Sequence, residues 1–346
     1  MRITINDIAR ACGVSVGVVS RIINEDASLR VRPETRKKVV EEIERTGYSP
    51  NLYAKKLANY ALMPTKDLTI GYLTYKGSEF FINAYFDKIV EGITEGCSEG
   101  KYELLRFYVD EAVHLFQKKM PLHEKKLDGL ILFGRIPEKM LQYLLKQARY
   151  VVSVYGEDNE NVDFVGTDLV ASMNMMLDYI KTLGHEEIGM VTGGDANRDN
   201  ALFQYADKLG IKTDKTYRYC AFNSSKTAYE ETKARLNEKK PPKLICCMND
   251  EMAIGVMKAL SEEGYRIPED VSVTGHDDIF KSNYCEVPLT TVHIYKEEIG
   301  RLVSTLLIER IKFKRKIAVK MFVPCKLVIR KSTKKNKQGE NLDDLD

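Results

Sequence analysis

The sequence predicts an α/β protein: a small helical head, then a two-lobed body built on doubly wound parallel sheets. Three observations carry that expectation. From Leu68 onward, short apolar runs alternate with amphipathic helical stretches. The alternation supplies enough strand–helix units for two open sheets. Ahead of it, the first 48 residues show helical periodicity only, interrupted at Gly13. With 346 residues, 44% hydrophobic and 30% charged, the chain has ample length for a core and the balance of an ordinary globular protein.

The elements follow in order. Ile5, Ile8, Ala9 and Cys12 share one helical face behind a Thr4–Asp7 capping box. Gly13 ends that helix, and Ser15 caps a second through Val19, Ile22 and Ile23 to Asn24. A third follows in "LRVRPETRKKVVEEIERTGY". Pro33 suits its first turn, Val39, Val40 and Ile43 face inward, Gly47 stops it, and Arg32 is a poor cap. In "YSPNLYAKKLANYALMPTKD" a helical pattern is bracketed by Pro50 and Pro64. It is too short to stand alone and reads as a linker with a conditional helix. Strands are expected at 68–75, 102–109, 127–134, 150–156, 187–194, 243–248 and 271–276. Helices are expected at 79–98, 169–183, 224–238, 250–263 and 294–312. The organisation expected is a head over 1–49, a hinge and linker over 50–66, a body over 67–330 and a polar, disordered tail over 331–346. In such a body the ligand site lies at the carboxyl ends of strands, in the cleft between lobes.

Composition narrows the function. Residues 1–60 hold eleven Lys/Arg against seven Asp/Glu, a net of +4, whereas the whole chain is only +3. A basic head on a near-neutral body suits a polyanion-binding module. There is no charge-free apolar run of about 18 residues, so no membrane span is expected. "MRITINDIARAC" lacks the apolar stretch of a secretory signal, and the expected location is cytoplasmic. The seven cysteines have neither zinc nor CxxC spacing and read as reduced thiols. The five histidines form no metal or triad pattern. No metal, cofactor or enzymatic activity is expected.

Two helices joined by a short Gly-containing turn form the helix-turn-helix pattern, though the pattern alone leaves a plain three-helix subdomain open. In the first reading, the start of the second helix meets base edges. Val16 suits a thymine methyl, Gly17 allows close backbone approach, and Arg21 reaches a guanine edge or a phosphate. Thr4, Ser15 and Ser20 are short hydroxyls suited to phosphate.

"INDIARACGVSVGVVSRIIN … TRKKVVEEIERTGYSPNLYAKKLA" resembles the DNA-binding head and hinge of LacI/GalR bacterial transcription regulators. "GTDLVASMNMMLDYIKTLGHEEIGMVTG", "CMNDEMAIGVMKALSEEGYRIPEDVSVTGHDD" and "PLTTVHIYKEEIG" resemble the periplasmic-binding-protein-like, sugar-binding core of that family. The similarity spans roughly residues 3–330, with several motifs in family order. It implies a homodimer that reads a pseudo-palindromic operator in the cytoplasm, on the nucleoid, and answers to a small sugar effector. Val16 and Gly17 match the main specificity positions. Thr4, Ser15, Ser20, Arg21, Asn24, Thr35 and Asn51 match positions that hold DNA. Ala54 and Leu57 match the hinge helix, where two Leu57 side chains would wedge into the minor groove and kink it.

For the effector, the resemblance points to Asn249 and Asp277, with Asp250 expected only to cap a helix. Of Phe80, Phe81 and Tyr85, an aromatic stacked on the ligand is implied, Phe81 and Tyr85 foremost. Arg198 lies one residue out of register with the family's sugar-binding arginine. His276 replaces a usual Tyr or Phe, and both a ligand contact and a satisfied buried histidine fit it.

The loop "NEDASLRV" is two residues longer than in the lactose repressor and is similar to that of Gram-positive galactose-operon repressors. The implied function is repression of a galactose or galactoside operon, relieved by the sugar. A purine-type corepressor acting with opposite sign, or a sugar-binding transport receptor, are the alternatives. The tail has no leucine heptads, so no tetramer of the lactose-repressor kind is expected.

Overall fold

The computed structural model describes residues 5–23, 29–46, 68–74, 84–124, 126–134, 136–156 and 159–336. It separates the chain into two compact units, Met1–Lys66 and Asp67–Asp346.

In the first unit, α1 (Ile5–Cys12), α2 (Val16–Ile23) and α3 (Pro33–Thr46) enclose Ile8, Ala9, Cys12, Val19, Ile22 and Val39. Gly13 takes a φ of +68°, which lets the chain reverse after α1 without a Cβ penalty. Ser15 Oγ accepts from the Val18 amide at a long 3.4 Å, an exposed and weak cap. Val40, expected inside, is 39% exposed, while Val39 takes the core position and Ile43 packs at its margin.

The second unit has two lobes. The first lobe carries a six-stranded sheet of order β11-β5-β4-β3-β1-β2. Its strands are β1 (Thr69–Thr74), β2 (Glu103–Tyr108), β3 (Leu127–Phe133), β4 (Ala148–Val154), β5 (Val162–Gly166) and β11 (Lys320–Phe322). Its helices are α4 (Ala84–Glu99), α5 (Val109–Gln117), α6 (Glu138–Gln147) and the late α11 (Lys296–Phe313). The second lobe has a four-stranded sheet of order β7-β6-β8-β9. It comprises β6 (Glu187–Thr192), β7 (Lys212–Cys220), β8 (Leu244–Cys247) and β9 (Ser272–Thr274), with α7 (Leu169–Thr182), α8 (Ala196–Lys208), α9 (Ser225–Glu238) and α10 (Asp250–Glu262). All neighbours in both sheets pair in parallel. A two-stranded antiparallel ribbon, β10 (Thr291–Ile294) with β12 (Cys325–Val328), lies where the chain passes between lobes.

Buried parallel strands read as continuous apolar runs, and β3 and β8 show why, with LDGLILF and LICC almost wholly enclosed. Five strands fall outside the expected runs: β5, β7, β10, β11 and β12. The polar β7, KTDKTYRYC, is an edge strand that buries alternate residues. The short β5 carries a fully buried Asp163. That carboxylate accepts from Arg315 at 2.9 Å on each oxygen and from the Val319 amide at 2.7 Å, tying the end of α11 to the sheet. Helices α5, α6 and α8 were also missed. The chain returns to the first lobe because α4 and α11 pack at backbone distance: a Cβ on Gly300 would lie 2.1 Å from the Ile89 carbonyl oxygen.

The first six residues of the tail expected to be disordered, 331–336, are instead packed on the second lobe. Ser332 is fully buried, donates to the Val273 carbonyl at 2.6 Å and accepts from the Thr290 amide at 2.8 Å. The Asn336 amide still donates to Leu183. Residues 331–336 thus extend the second lobe, and 337–346 lie outside the described residues. No helix among the described residues is long and apolar enough to cross a membrane.

Candidate functional site

The head presents one face of α2 outward. Val19 and Ile22 point into its core, so residues at the other helical phase face out. Val16 is 38% exposed, Gly17 and Arg21 are exposed, and Ser20 is half-buried. The nearest atom to a Cβ placed on Gly17 is Ser15 Oγ at 3.8 Å, so a flat patch begins the helix. Thr35 lies half-buried in the first turn of α3. The face is small, hydroxyl-bearing and cationic at Arg21, a shape that enters a groove and touches base edges and phosphates. Thr4, Asn24, Asn51, Ala54 and Leu57 lie outside the described residues.

The second site forms at strand ends of the body. Arg198 and Asp199 sit in the first turn of α8, after β6. Asp195 caps that helix, accepting from the Asn197 and Arg198 amides at 3.1 Å each. Asn223 follows β7, Asn249 follows β8, and His276 and Asp277 follow β9. From the first lobe come Tyr85 in α4, Tyr155 after β4 and Thr167 after β5. The rings of Tyr85 and Tyr155 stand 5.9 Å apart. Tyr85 and Tyr155 feel the charge of Asp277 in the other lobe, and Arg198 feels both Asp277 and Tyr85. The two lobes therefore meet at one cluster of polar groups. Phe81 lies outside the described residues.

Backbone strain concentrates here. Tyr155 (φ +56°), Phe222 (+48°), Asn223 (+59°), Asp277 (+111°) and Asp278 (+53°) are all non-glycine residues in the left-handed region. Such conformations cost about 1–3 kcal/mol each and persist where surrounding structure enforces them. Lys296 is one enforcer. It is nearly buried, and its ammonium donates to the carbonyls of Asp277, Asp278 (3.1 Å) and Ile294 (3.0 Å), with the Tyr85 ring 5.8 Å away. Burial lowers its pKa.

His276 is fully buried with both ring nitrogens engaged: Nδ1 meets Asp277 Oδ1 at 2.9 Å and Nε2 meets Ser172 Oγ at 2.8 Å. Burial pushes its pKa down, so it stays neutral, donates from Nδ1 and orients the carboxylate. It supports Asp277 rather than offering a free nitrogen. The expected helix-cap role of Asp250 is corrected. Asn249, not Asp250, caps α10: its Oδ1 accepts from the Met252 amide at 2.8 Å, and its Nδ2 donates to Asn223 Oδ1 at 3.0 Å. Asp250 is fully buried and ties the start of α10 to strand β10 and the loop after β9, accepting from Thr291 Oγ1 at 2.6 Å and the Ile279 amide at 2.9 Å. Burial beside Asp277 raises its pKa strongly.

Most telling are polar atoms without partners. Arg198 Nε and Nη2, Asp199 Oδ1, Tyr155 Oη and Thr167 Oγ1 are closed off from solvent and unbonded among the described residues. Nε and Nη2 form one edge of the guanidinium, a fork suited to two adjacent acceptor oxygens. Leaving such atoms unmade costs about 1–3 kcal/mol apiece, which a polar ligand would recover. Tyr155, Thr167, Asp199, Asn223 and Lys296 were not foreseen. The rule placing ligands at strand ends could have singled out the Tyr155–Gly156 step after β4; partner counts and positive φ could not be read.

Residues 4–51 match the profile of bacterial regulatory proteins of the lacI family, and residues 177–333 that of the periplasmic binding protein-like domain. The HTH-type transcriptional repressor PurR of Pasteurella multocida is 30% identical over 341 residues, covering 96% of this chain and 98% of that one. The HTH-type transcriptional repressor MelR of Bacillus subtilis is 28% identical over 347 residues, covering 95% and 97%. Among solved structures, the transcriptional regulator CelR–cellobiose complex aligns with a TM-score of 0.68 at 24% identity, covering 96% of this chain and all of that one. The lac repressor dimer bound to operator and an anti-inducer aligns with a TM-score of 0.65 at 22% identity, with the same coverage. The chain therefore belongs to the lacI family of bacterial regulatory proteins, a non-enzymatic family, and is a DNA-binding transcriptional repressor with an effector-binding domain.

Proposed function

We propose that the chain works as a homodimer on a pseudo-palindromic operator, represses a galactose or galactoside utilisation operon, and leaves the DNA when the sugar fills the strand-end cluster. The observation that carries the effector half is the unbonded Nε–Nη2 edge of Arg198, buried beside Asp277. Adjacent hydroxyls of a sugar match that fork on one side and the carboxylate on the other. The solved CelR complex with cellobiose lends the fold a precedent. The longer loop before α3, similar to that of Gram-positive galactose-operon repressors, supports the galactoside reading. For the dimer, the stacked rings of Phe280 and Tyr284, 4.5 Å apart and 73% and 69% exposed, form an apolar patch that a second copy would cover. Val16, Gly17, Ser20 and Arg21 read the operator, and the hinge around Ala54 and Leu57 orders on it.

Effector and operator then oppose each other through one coupling free energy, which acts equally in both directions. A corepressor reading uses the same cluster with the sign reversed. Gel retardation of a palindromic duplex separates them. Galactose or a galactoside should weaken operator binding by at least about tenfold, within the 1–3 kcal/mol usual for such coupling. Tightening instead would establish the corepressor. Binding undiminished by deletion of residues 1–60 would reject the operator assignment.

A further inference from the structure

The strand-end cluster lies at the carboxyl ends of the strands. At the opposite, amino ends of β6, β8 and β9 there is a second cavity, of about 240 Å³. His185 leads into β6, Lys243 leads into β8, Ser272 opens β9, and Lys334, Lys335 and Asn336 close the cavity from the segment after β12. That segment is firmly held there. The Lys334 amide donates to Ser272 Oγ at 3.2 Å, and the Asn336 amide donates to the Leu183 carbonyl at 2.8 Å.

His185 is only 2% exposed. Its Nε2 meets the Lys334 carbonyl at 3.3 Å. A carbonyl can only accept, so Nε2 carries the ring proton. Burial lowers the pKa of the ring and keeps it neutral. Nδ1 is then a lone-pair acceptor, closed off from solvent and unbonded among the described residues. Such a nitrogen calls for a donor. The exposed ammonium groups of Lys243, Lys334 and Lys335 call for negative charge. Lys334 gives one proton to the Glu269 carbonyl and keeps two. The carboxylate of the lining, Asp270, is already gripped on both oxygens by Arg266, at 3.0 and 3.1 Å.

We propose that this cavity is a phosphate site, taking inorganic phosphate or a small phosphate monoester that keeps one P–OH. His185 Nδ1 accepts from that hydroxyl, and Lys243, Lys334 and Lys335 donate to the other oxygens. No residue of the strand-end cluster takes part, so the site stands independently of the effector reading. Two demands meet in one ligand, a proton to give and a net negative charge. Sulfate and carboxylates carry the charge at neutral pH but no proton. Sugars carry the proton but no charge. Inorganic phosphate carries both, since each of its ionic forms near neutrality retains a P–OH. An ester loses its last P–OH proton near pH 6, so at neutral pH it enters only as its minor, protonated form. The volume lies below the roughly 300–1,000 Å³ of pockets for drug-sized ligands, which suits a small ion or a short ester. Bound phosphate would join residues 334–336 to the strand starts and stabilise the second lobe by mass action.

The test uses the full chain at neutral pH in a buffer free of oxyanions. The probes are sodium phosphate, glycerol 3-phosphate and sodium sulfate at matched ionic strength, read by calorimetry and thermal shift. Phosphate should bind at least about tenfold more tightly than sulfate, the worth of one buried hydrogen bond. Phosphate ahead of glycerol 3-phosphate identifies the free ion as the occupant, and the reverse order identifies an ester. His185→Gln keeps a donor for the Lys334 carbonyl and removes the Nδ1 acceptor, so it should abolish the preference for phosphate over sulfate. Lys243→Gln combined with Lys335→Gln changes two exposed side chains. It should weaken phosphate binding by about tenfold or more, the range for hydrogen bonds to charged groups, with the phosphate-free Tm unchanged. Amide exchange at 334–336 should slow when phosphate is added to the parent chain. Sulfate bound as tightly as phosphate would overturn the proposal. So would phosphate affinity unchanged in both variants, or no saturable phosphate binding below about 10 mM. A rise in Tm that survives in the lysine variant is the general effect of an excluded salt and also counts against it. Should His185→Gln fail to fold, the lysine variant and the sulfate comparison decide.

Discussion

The outward face of α2 and the strand-end cluster between the lobes, the two binding surfaces proposed for this chain, are built on opposite plans. On α2 the residues proposed to read DNA, Val16, Gly17, Ser20 and Arg21, face outward over a head core closed by Ile8, Val19, Ile22 and Val39. In the cluster the polar atoms are enclosed and unbonded, and the backbone that carries them is strained at five positions. A protein that meets a rigid outside partner loses nothing by keeping its polar groups hydrated until contact. A site that closes around a small molecule must shut water out, so its polar atoms stand unsatisfied until the ligand comes. The first plan makes function depend on whether a small fold stays folded, the second on individual atoms.

The sharpest way to break this comparison is Ile8→Ala. Deleting a fully buried Ile typically costs about 2–5 kcal/mol, and a domain of this size holds only about 3–5 kcal/mol in total. Operator binding should vanish while the thermal transition and effector response of the body remain. A body destabilised equally would show that the two units do not fold separately. A smaller and more selective effect is expected from Arg198→Met. Effector response should fall by about a hundredfold, the range for a charged hydrogen-bonding group, with operator binding kept and effector-free Tm no lower than before. Loss of operator binding in this variant would contradict the separation of roles.

The mildest expectation concerns pH. Burial lowers the pKa of His185 and of His276. A folded-state pKa below the ordinary value of about 6.5 means the unfolded chain takes up protons first as pH falls. The stability these two neutral histidines contribute is whole above that value and drains away below it. The Tm of the body should therefore decline between about pH 6.5 and 5. His185→Gln combined with His276→Gln should flatten the decline. A parent Tm that holds level to pH 5 would remove both groups from consideration.

Much of this was legible beforehand. The head could be read from Gly13, Ser15, Pro33 and the spacing of Ile8, Cys12, Val19 and Ile22, because a short helix must put its apolar residues on one stripe and stop where the chain can turn. The buried central strands could be read because parallel strands enclosed on both faces become uninterrupted apolar runs. The edge strand β7 could not, since half of its residues face water, nor could β5, whose Asp163 makes sense only once Arg315 is brought to it from 152 positions away. At the site, Arg198 and Asp277 were named beforehand and do stand together, and His276 takes the buried, satisfied place that was one of its two readings, while the helix cap fell to Asn249 instead of Asp250.

By itself the sequence determined the helices of the head, the uninterrupted apolar strands of the body, the order of head and body, and the family's motifs, because these depend on spacing along the chain. Only the tertiary structure decided which polar atoms find partners. Asn249 and Asp250 are neighbours in sequence, each with a side-chain oxygen that can accept; one caps a helix and the other binds strand β10 and the loop after β9 because different elements arrive beside them. Whether a hydroxyl such as that of Tyr155 is spent or spare is a fact about groups distant in sequence meeting in space, and spacing along one strand cannot contain it.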